Sequence, residues 1–239
     1  MSAPPLFGRT AVVTGASRGI GLAIAEELQA AGAHVVRLAR SLADGEAERR
    51  SDLRCDVTDA ASVARAAGRV LESRGAPDVL VNAAGVFLVA PVAETTPQDF
   101  GAQLAGNLVA PFLVLRAFLP AMTARGRGLV VTIGSVADHH AFTGNAAYGA
   151  AKSGLRGLHE VLRAELRGSG VRATLISPGP TDTAIWDPVD PDRRPGFTKR
   201  AQMLKPEDVA EAVLFVATRR DEVAIPELRI MPETWKPRT

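Results

Sequence analysis

The sequence predicts an α/β protein with a doubly wound, parallel sheet of about seven strands and helices on both faces. Short runs rich in β-branched residues alternate along the chain with stretches whose apolar residues recur at helical spacing. The strand runs are apolar almost throughout, which is typical of a parallel sheet covered on both faces. The predicted strands are 10–15, 33–39, 51–57, 77–85, 128–135, 171–179 and 226–232.

The helices are predicted from apolar periodicity and from residues suited to helix ends. Ile20, Ile24 and Leu28 fall on one face of the first helix. Thr58 or Asp59 is suited to cap the second, and Pro206 precedes the last. The predicted helices are 19–31, one that begins after Asp59, 98–124, 146–168 and 206–218.

Composition limits the classes of protein that remain. With 239 residues and no linker-like segment, we expect a single domain over 1–239. One cysteine, Cys55, excludes an internal disulfide framework, and the histidines lack a recognisable metal spacing. The net charge of +2 comes from interspersed acidic and basic residues, so we expect no nucleic-acid partner. No secretory signal or membrane span is expected, which favours the cytoplasm.

A glycine-rich turn, TGASRGIG, follows the first predicted strand at residues 14–21. Glycine permits a sharp turn and a close approach by a ligand, and the helix that follows would offer its free N–H groups to a pyrophosphate. The spacing is G-x-x-x-G-x-G, whereas the general dinucleotide fingerprint is G-x-G-x-x-G. Alone, the pattern also fits a simple strand-to-helix turn. Its position after the first strand favours ligand binding.

The only tyrosine of the chain, Tyr148, precedes Lys152 by four positions in YGAAK. Residues four apart lie on the same face of a helix. Such a pair is often no more than surface decoration. A lysine close to a tyrosine in a partly desolvated site can also stabilise the phenolate, so we expect Lys152 to lower the pKa of Tyr148.

Three motifs in this order resemble the short-chain dehydrogenase/reductase family: TGASRGIG at 14–21, NAAG at 82–85 and YGAAK at 148–152. Further matches are Asp56, Asn107 in GNLVAPF, Ser135 in TIGSVA, and SPGPTDT at 177–183. The resemblance covers nearly the whole chain. It implies a Rossmann fold, a nicotinamide cofactor and oxidoreductase activity.

The resemblance also implies a role for each catalytic candidate. Tyr148 would act as general acid in carbonyl reduction and as general base in alcohol oxidation. Ser135 would hydrogen-bond the substrate oxygen. Lys152 would hold the nicotinamide ribose, and Asn107 would fix a water that links Lys152 to solvent.

The end of the second strand indicates which nicotinamide cofactor is bound. NAD-binding relatives place a carboxylate there, but this chain has Ala39 followed by Arg40, and Arg18 lies in the glycine turn. Two arginines suit a 2′-phosphate, so we expect NADP(H), although both are also compatible with a solvated surface. The residues expected to contact the cofactor are Gly15, Ser17, Arg18, Gly19, Ile20, Gly21, Arg40, Asp56, Val57, Asn82, Ala83, Gly85, Tyr148, Lys152, Pro178, Gly179, Thr181 and Thr183.

The substrate pocket is expected beyond Ser135 and under the long loop 182–204. In that loop, Trp186 is suited either to close over an apolar substrate or to anchor the loop to the core. The other residues expected to line the pocket are Phe87, Asp138, His139, His140 and Phe142.

The leading interpretation is an NADPH-dependent carbonyl reductase or alcohol dehydrogenase that acts on a small carbonyl or alcohol. An NADP-linked hydroxy-acid or polyol dehydrogenase and a non-catalytic NADP(H) sensor remain as alternatives. The resemblance further implies a homodimer or homotetramer that packs through the 98–124 and 146–168 helices. Leu115, Phe118 and Leu119 are compatible with such an interface or with the protomer's own core.

Overall fold

The computed structural model describes residues 3–235, which form one sheet of eight strands between two layers of helices. The strands run in the order β3-β4-β2-β1-β5-β6-β7-β8. They are β1 (Thr10–Thr14), β2 (His34–Ala39), β3 (Gly45–Ala47), β4 (Arg50–Arg54), β5 (Val79–Asn82), β6 (Gly128–Ile133), β7 (Val171–Pro178) and β8 (Glu227–Ile230). The α-helices are α1 (Gly19–Ala30), α2 (Ala60–Arg74), α3 (Pro97–Leu104), α4 (Ala110–Arg125), α5 (Ala146–Glu165) and α6 (Pro206–Ala217).

The predicted α/β doubly wound fold is confirmed, with one correction to the sheet. Seven strands are parallel as predicted, but β3 adds an eighth that pairs antiparallel with β4. This strand has only three residues, all of them exposed. Neither an apolar run nor alternation marks such a segment, which explains why the sequence pattern does not predict it.

Alternating residues of the strands pack against the two helical layers. In β1, Val13 belongs to a core shared with α1 and α6, whereas Val12 belongs to a core shared with α2 and α4. Both valines are 0% exposed. Coverage of both faces accounts for the continuous apolar strands in the sequence.

The long helix predicted at 98–124 is interrupted. A π-helical segment, Ala105–Val109, separates α3 from α4. Pro111 has no N–H with which to continue the ordinary pattern, and the N–H of Ala110 donates to the carbonyl oxygen of Ala105. The wider helical turn directs the side chain of Asn107 toward the loop after β5, where its Nδ2 donates to the backbone oxygen of Val86.

The run Pro97–Arg125 is long and apolar enough to cross a membrane when judged by length and composition alone. In the fold, its inward face carries Val114, Phe118 and Met122, which are at most 1% exposed. Leu115 is also buried, and Leu119 packs partly buried against the same core. The run is therefore accounted for as core helix, and Leu115 and Phe118 belong to the protomer's own core.

Candidate active site

A cavity of about 1180 Å³ lies at the carboxyl ends of the parallel strands. The strand order reverses between β1 and β5, and ligands of such sheets bind in the crevice at that point. Every predicted catalytic and cofactor-contacting residue except Asn82 lines this cavity: Gly15, Ser17, Arg18, Gly19, Ile20, Gly21, Arg40, Asp56, Val57, Ala83, Gly85, Asn107, Ser135, Tyr148, Lys152, Pro178, Gly179, Thr181 and Thr183.

Asn82 is the exception, and its contact with the cofactor stays a prediction. It is 3% exposed, and neither side-chain polar atom has a hydrogen-bond partner within residues 3–235. The next residues reach the cavity because the hydroxyl oxygen of Thr14 accepts from the N–H groups of Ala83 (3.0 Å) and Ala84 (3.1 Å). This pair of bonds ties the end of β5 to the end of β1 and turns the chain outward after Asn82.

The glycine turn packs backbone against backbone. Gly15 has φ +68°, and a Cβ on it would lie 2.7 Å from the α carbon of Ala84. A Cβ on Gly21 would lie 2.5 Å from the oxygen of Gly15. The helix α1 that begins at Gly19 has no side-chain cap. Its first-turn N–H groups therefore remain for a ligand in the cavity, as at other anion sites on helix N-termini.

Two guanidinium groups flank this end of the cavity. Arg18 and Arg40 are exposed, and neither guanidinium group makes a hydrogen bond or ion pair with any residue of 3–235. Asp56 accepts from the hydroxyl (2.7 Å) and the N–H (2.9 Å) of Thr58, which are the main causes of its lowered pKa, with a smaller effect from Arg40. The expected acidic position holds Ala39, so no carboxylate at that strand end would repel a phosphate.

Tyr148 and Lys152 project from α5 into the same part of the cavity. The Nζ of Lys152 lies 5.7 Å from the centre of the Tyr148 ring and donates to the backbone oxygen of Ile133 at 3.0 Å. Ser135 follows the end of β6, and its hydroxyl accepts from the N–H of Ala137 at 3.2 Å. One helix and one strand end therefore bring together three of the four predicted catalytic residues.

Burial is the main influence on the protonation of Tyr148 and Lys152. Burial raises the pKa of Tyr148 to about 12, with the Ser135 hydroxyl opposing and the charge of Asp138 adding to the effect. Burial also lowers the pKa of Lys152 to about 8, opposed by Asp138. The net shift of the Tyr148 pKa is therefore upward, because desolvation outweighs the other effects on it, and a lowering of this pKa by Lys152 stays a prediction.

Asn107 joins the π-helical segment to the loop after β5. Its Nδ2 donates to the backbone oxygens of Val86 (2.9 Å) and Gln103 (3.1 Å), and its Oδ1 accepts from the N–H of Val86 (3.3 Å). The side chain is fully buried. Asn107 makes no direct hydrogen bond to Lys152 within the described residues, so in this structure it orders the backbone beside the cavity.

Aromatic side chains wall the cavity next to Tyr148. The ring of Phe87 lies edge-on to Tyr148 (4.9 Å between centres) and to Trp186 (4.8 Å). Trp186 also contacts Phe197 (6.2 Å) and donates its indole N–H to the oxygen of Thr181 at 3.0 Å. Trp186 therefore anchors the loop and lines the cavity, and its closure over a substrate stays a prediction.

Three residues predicted to line the substrate pocket lie elsewhere. Phe142 and Phe87 line the cavity, but Asp138, His139 and His140 do not. Ser135 caps a 3₁₀ turn, Val136–Asp138, which points the carboxylate of Asp138 back toward the hydroxyl of Ser177. The ring of His139 is held by Glu227. These contacts are long-range, so adjacency to Ser135 in the sequence does not predict them.

Several residues of the cavity wall are not named individually by the sequence pattern. Four with large side chains are Ile185, Arg194, Phe197 and Trp235. Trp235 is one of only two tryptophans, and the scarcity of aromatic residues that marks Trp186 applies to it equally. Three of the four belong to the loop 182–204, where no periodicity assigns a direction to a side chain.

The loop 182–204 is braced at both ends. Arg200 donates to the carboxylates of Asp182 and Asp187, each at 2.6 Å. A parallel bridge joins Thr181 to Leu204, where the N–H of Asp182 donates to the oxygen of Leu204 at 2.8 Å. Hydrogen bonds at both of its ends therefore hold the loop in place next to the aromatic wall of the cavity.

Fold and site together define a dinucleotide-binding oxidoreductase of the α/β class. The family model described as short chain dehydrogenase matches residues 9–194. The chain belongs to the short-chain dehydrogenase family.

Individual relatives differ in substrate and in length. D-threitol dehydrogenase from Mycolicibacterium smegmatis is 37% identical over 226 residues, which cover 89% of this chain and 87% of that protein. Glycine betaine reductase ATRR from Emericella nidulans is 34% identical over 240 residues, which cover 95% of this chain but 19% of that protein. A metagenomic short-chain oxidoreductase, solved in complex with NADP, is 36% identical with a TM-score of 0.79 and covers 97% of this chain and 100% of its own.

Proposed function

We propose that this protein is an NADP(H)-dependent oxidoreductase that transfers a hydride between the nicotinamide and a carbonyl or secondary alcohol, with Tyr148 as general acid/base. The observation that carries the proposal is the placement of Tyr148 beside Ser135 and Lys152 in one cavity that reaches back to the glycine turn. With a pKa of about 12, Tyr148 keeps its proton near neutrality. A retained proton suits the reduction of a carbonyl.

The residues present fit NADP(H). The uncapped start of α1 suits a pyrophosphate, and Arg18 and Arg40 suit a 2′-phosphate because planar guanidinium groups bind phosphate by paired hydrogen bonds. NADP in the complex of the metagenomic relative supports this choice. Asp56 would accept from the adenine amine, and Lys152 would hold the nicotinamide ribose. When bound, the cofactor supplies the hydride chemistry.

At the reacting end, Ser135 and Tyr148 both present hydroxyl groups to the cavity. We assign to Ser135 the hydrogen bond that stabilises the developing charge on the substrate oxygen, and to Tyr148 the proton that this oxygen receives. Lys152 carries a positive charge below its pKa of about 8. That charge favours proton release from Tyr148 toward the substrate oxygen.

The aromatic wall supports an apolar carbonyl as the preferred substrate. Phe87, Trp186 and Phe197 form a continuous set of ring contacts next to Tyr148. Such a surface gains free energy by burying apolar area and offers few partners to hydroxyl groups. The guanidinium group of Arg194 lies 5.2 Å from the centre of the Phe197 ring, so this wall also carries a positive charge.

A second candidate is the oxidation of a polyol with NADP⁺, which the similarity to D-threitol dehydrogenase favours. A polyol requires hydrogen-bond partners for several hydroxyl groups, because burying them unpaired costs free energy. The two candidates therefore differ in the substrate that the aromatic wall accepts.

A substrate panel with Tyr148→Phe tests the proposal. Wild type is offered apolar aldehydes and ketones with NADPH or NADH, and polyols with NADP⁺. We expect NADPH-selective reduction of apolar carbonyls, and loss of at least about 100-fold in kcat for Tyr148→Phe with cofactor affinity retained. Turnover of polyols alone selects the second candidate. Full turnover by Tyr148→Phe, or binding of cofactor without any turnover by wild type, rejects the proposal.

We also propose a homodimer or homotetramer. The surface of the helical layer carries exposed apolar side chains on the π segment and α4, Val109 (42%) and Phe112 (47%), and on α5, Val161 (56%). These side chains are the observation that supports an interaction surface on this layer. Light scattering coupled to size-exclusion chromatography tests the proposal. We expect a dimer or tetramer that Phe112→Ser weakens, and a monomeric wild type contradicts it.

A further inference from the structure

A buried carboxylate lies behind the wall of the cavity and has no role in the mechanism above. The side chain of Asp138 is 0% exposed. Its Oδ2 accepts from the hydroxyl of Ser177 at 2.7 Å and from the N–H of Ser135 at 3.4 Å. The carboxylate is therefore fixed between β7 and the residue whose hydroxyl is proposed to contact the substrate.

The backbone makes room for this carboxylate. A Cβ on Gly134 would lie 2.7 Å from the Oδ2 of Asp138 and 2.8 Å from the hydroxyl oxygen of Ser177. Real Cβ atoms do not approach other atoms so closely. Because residue 134 is glycine, the hydrogen bond between Asp138 and Ser177 fits directly behind Ser135.

The histidine beside Asp138 is engaged elsewhere. The Nη1 of Arg156 lies 3.1 Å from the Nδ1 of His139, and a guanidinium group only donates, so Nδ1 accepts and Nε2 carries the hydrogen. That Nε2 lies 2.8 Å from the Oε1 of Glu227 and 3.4 Å from the Oδ1 of Asp138. Glu227 receives the hydrogen bond, and Oδ1 of Asp138 has no hydrogen-bond partner within residues 3–235.

The negative charge of Asp138 therefore acts on the catalytic side chains of α5. It adds to burial in raising the pKa of Tyr148 and opposes burial in lowering that of Lys152. Burial is the larger cause for both groups. The direction is the same in each case: the carboxylate favours the form of the side chain that carries the proton.

We propose that Asp138 is a positioning residue of the active site, whose buried carboxylate holds the Ser135 turn and acts electrostatically on Tyr148 from behind the cavity wall. The catalytic meaning of this inference rests on the proposed function. The electrostatic relationship is a property of the protein without cofactor and can be measured there.

The single tyrosine of the chain makes the measurement direct. Phenolate absorbance, followed against pH in the protein without ligands, reports Tyr148 alone. Asp138→Asn keeps an oxygen that can accept from Ser177 and Ser135 but removes the charge. We expect the midpoint to fall by about one pH unit from the wild-type value, because a neighbouring negative charge no longer opposes ionisation.

Asp221→Asn is the matched control, since this carboxylate is 58% exposed and paired with Arg172. It is expected to leave the midpoint unchanged. Equal midpoints for wild type and Asp138→Asn overturn the inference. A folded wild type whose midpoint lies at or below the ordinary value of 10.0 also overturns it, even where the variant fails to fold.

Activity gives a second, separate readout. In the oxidation direction the base form of Tyr148 is required, so the pH at which kcat/KM rises is expected to move down in Asp138→Asn by the same amount as the absorbance midpoint. An unchanged profile alongside an unchanged midpoint overturns the inference. A wild type without turnover rejects the proposed function instead, and the titration of Tyr148 then decides the inference alone.

Discussion

Gly21 packs against the backbone oxygen of Gly15 so closely that a single added carbon, at 2.5 Å, has no room. The contact joins the first turn of α1 to the end of β1. Because backbone atoms form both sides, the clash cannot be relieved by rotating a side chain. The glycine turn is thus required for the packing of α1 as well as for ligand approach.

Gly21→Ala is expected to lower the free energy of unfolding by about 1–3 kcal/mol, the usual range for overpacking, and to weaken NADPH binding. Gly68→Ala is the matched control. Gly68 lies in α2 with open space around it, and alanine there is expected to stabilise by about 0.5–1 kcal/mol. Urea unfolding and cofactor titration measure both effects. Equal stabilities of the two variants would contradict the role of the close contact.

Arg40→Asp tests the choice of cofactor. Loss of a charge-assisted hydrogen bond costs about 1.5–3 kcal/mol, so the Kd of NADPH is expected to rise by about 10- to 100-fold. The Kd of NADH is expected to change by less than about threefold, because it has no 2′-phosphate for Arg40 to contact. Arg116→Asp, an exposed site on α4, controls for net charge. Equal weakening of both cofactors counts against a phosphate role for Arg40.

The buried side chain of His159 is expected to make the free energy of unfolding depend on pH. It is 2% exposed, and burial, with a smaller effect of Arg163, lowers its pKa from 6.5 to about 4. Between pH 6.5 and about pH 4, His159 binds a proton in the unfolded chain but not in the folded chain. Its contribution to the free energy of unfolding is therefore fully present above pH 6.5 and is lost as the pH falls toward about 4. The total loss is about 3 kcal/mol.

Urea unfolding at two pH values measures this component. From about pH 7 to about pH 5, wild type is expected to lose about 2 kcal/mol more than His159→Gln, because glutamine does not titrate. The comparison uses the change with pH, so any constant cost of placing glutamine beside Thr132 cancels. The same acid loss in both proteins would show that His159 does not titrate as its burial implies.

Arg200→Ala is expected to release the loop 182–204. This side chain joins Asp182 and Asp187, and no other basic residue is bonded to either carboxylate within the described chain. Limited proteolysis within the loop should accelerate several-fold, since cleavage follows local opening. Arg193→Ala is the control, because Arg193 lies in the same loop but is 90% exposed. Equal cleavage rates for the two variants would refute the bracing.

The sequence predicted those parts of the site that depend on local order along the chain. The glycine turn, Ser135 at a strand end, and Tyr148 and Lys152 four apart on α5 all lie where their spacing placed them. The parts it did not predict depend on contacts between distant segments. The carboxylate of Asp138 is directed by Ser177, and the pKa of Tyr148 by burial that no spacing reveals. The π-helical segment was missed because apolar periodicity continues across it.

The short antiparallel strand β3 has a consequence for how copies of the protein meet. Open sheet edges recruit further strands from other molecules, and short, charged edge strands prevent this. Here the edge beside β4 ends in three exposed residues, with Glu46 in the strand and Glu48 and Arg49 directly after it. The exposed backbone of this edge strand is short and flanked by charged side chains, so a strand of another molecule cannot pair along it. At this edge the addition of a strand from another molecule is therefore disfavoured.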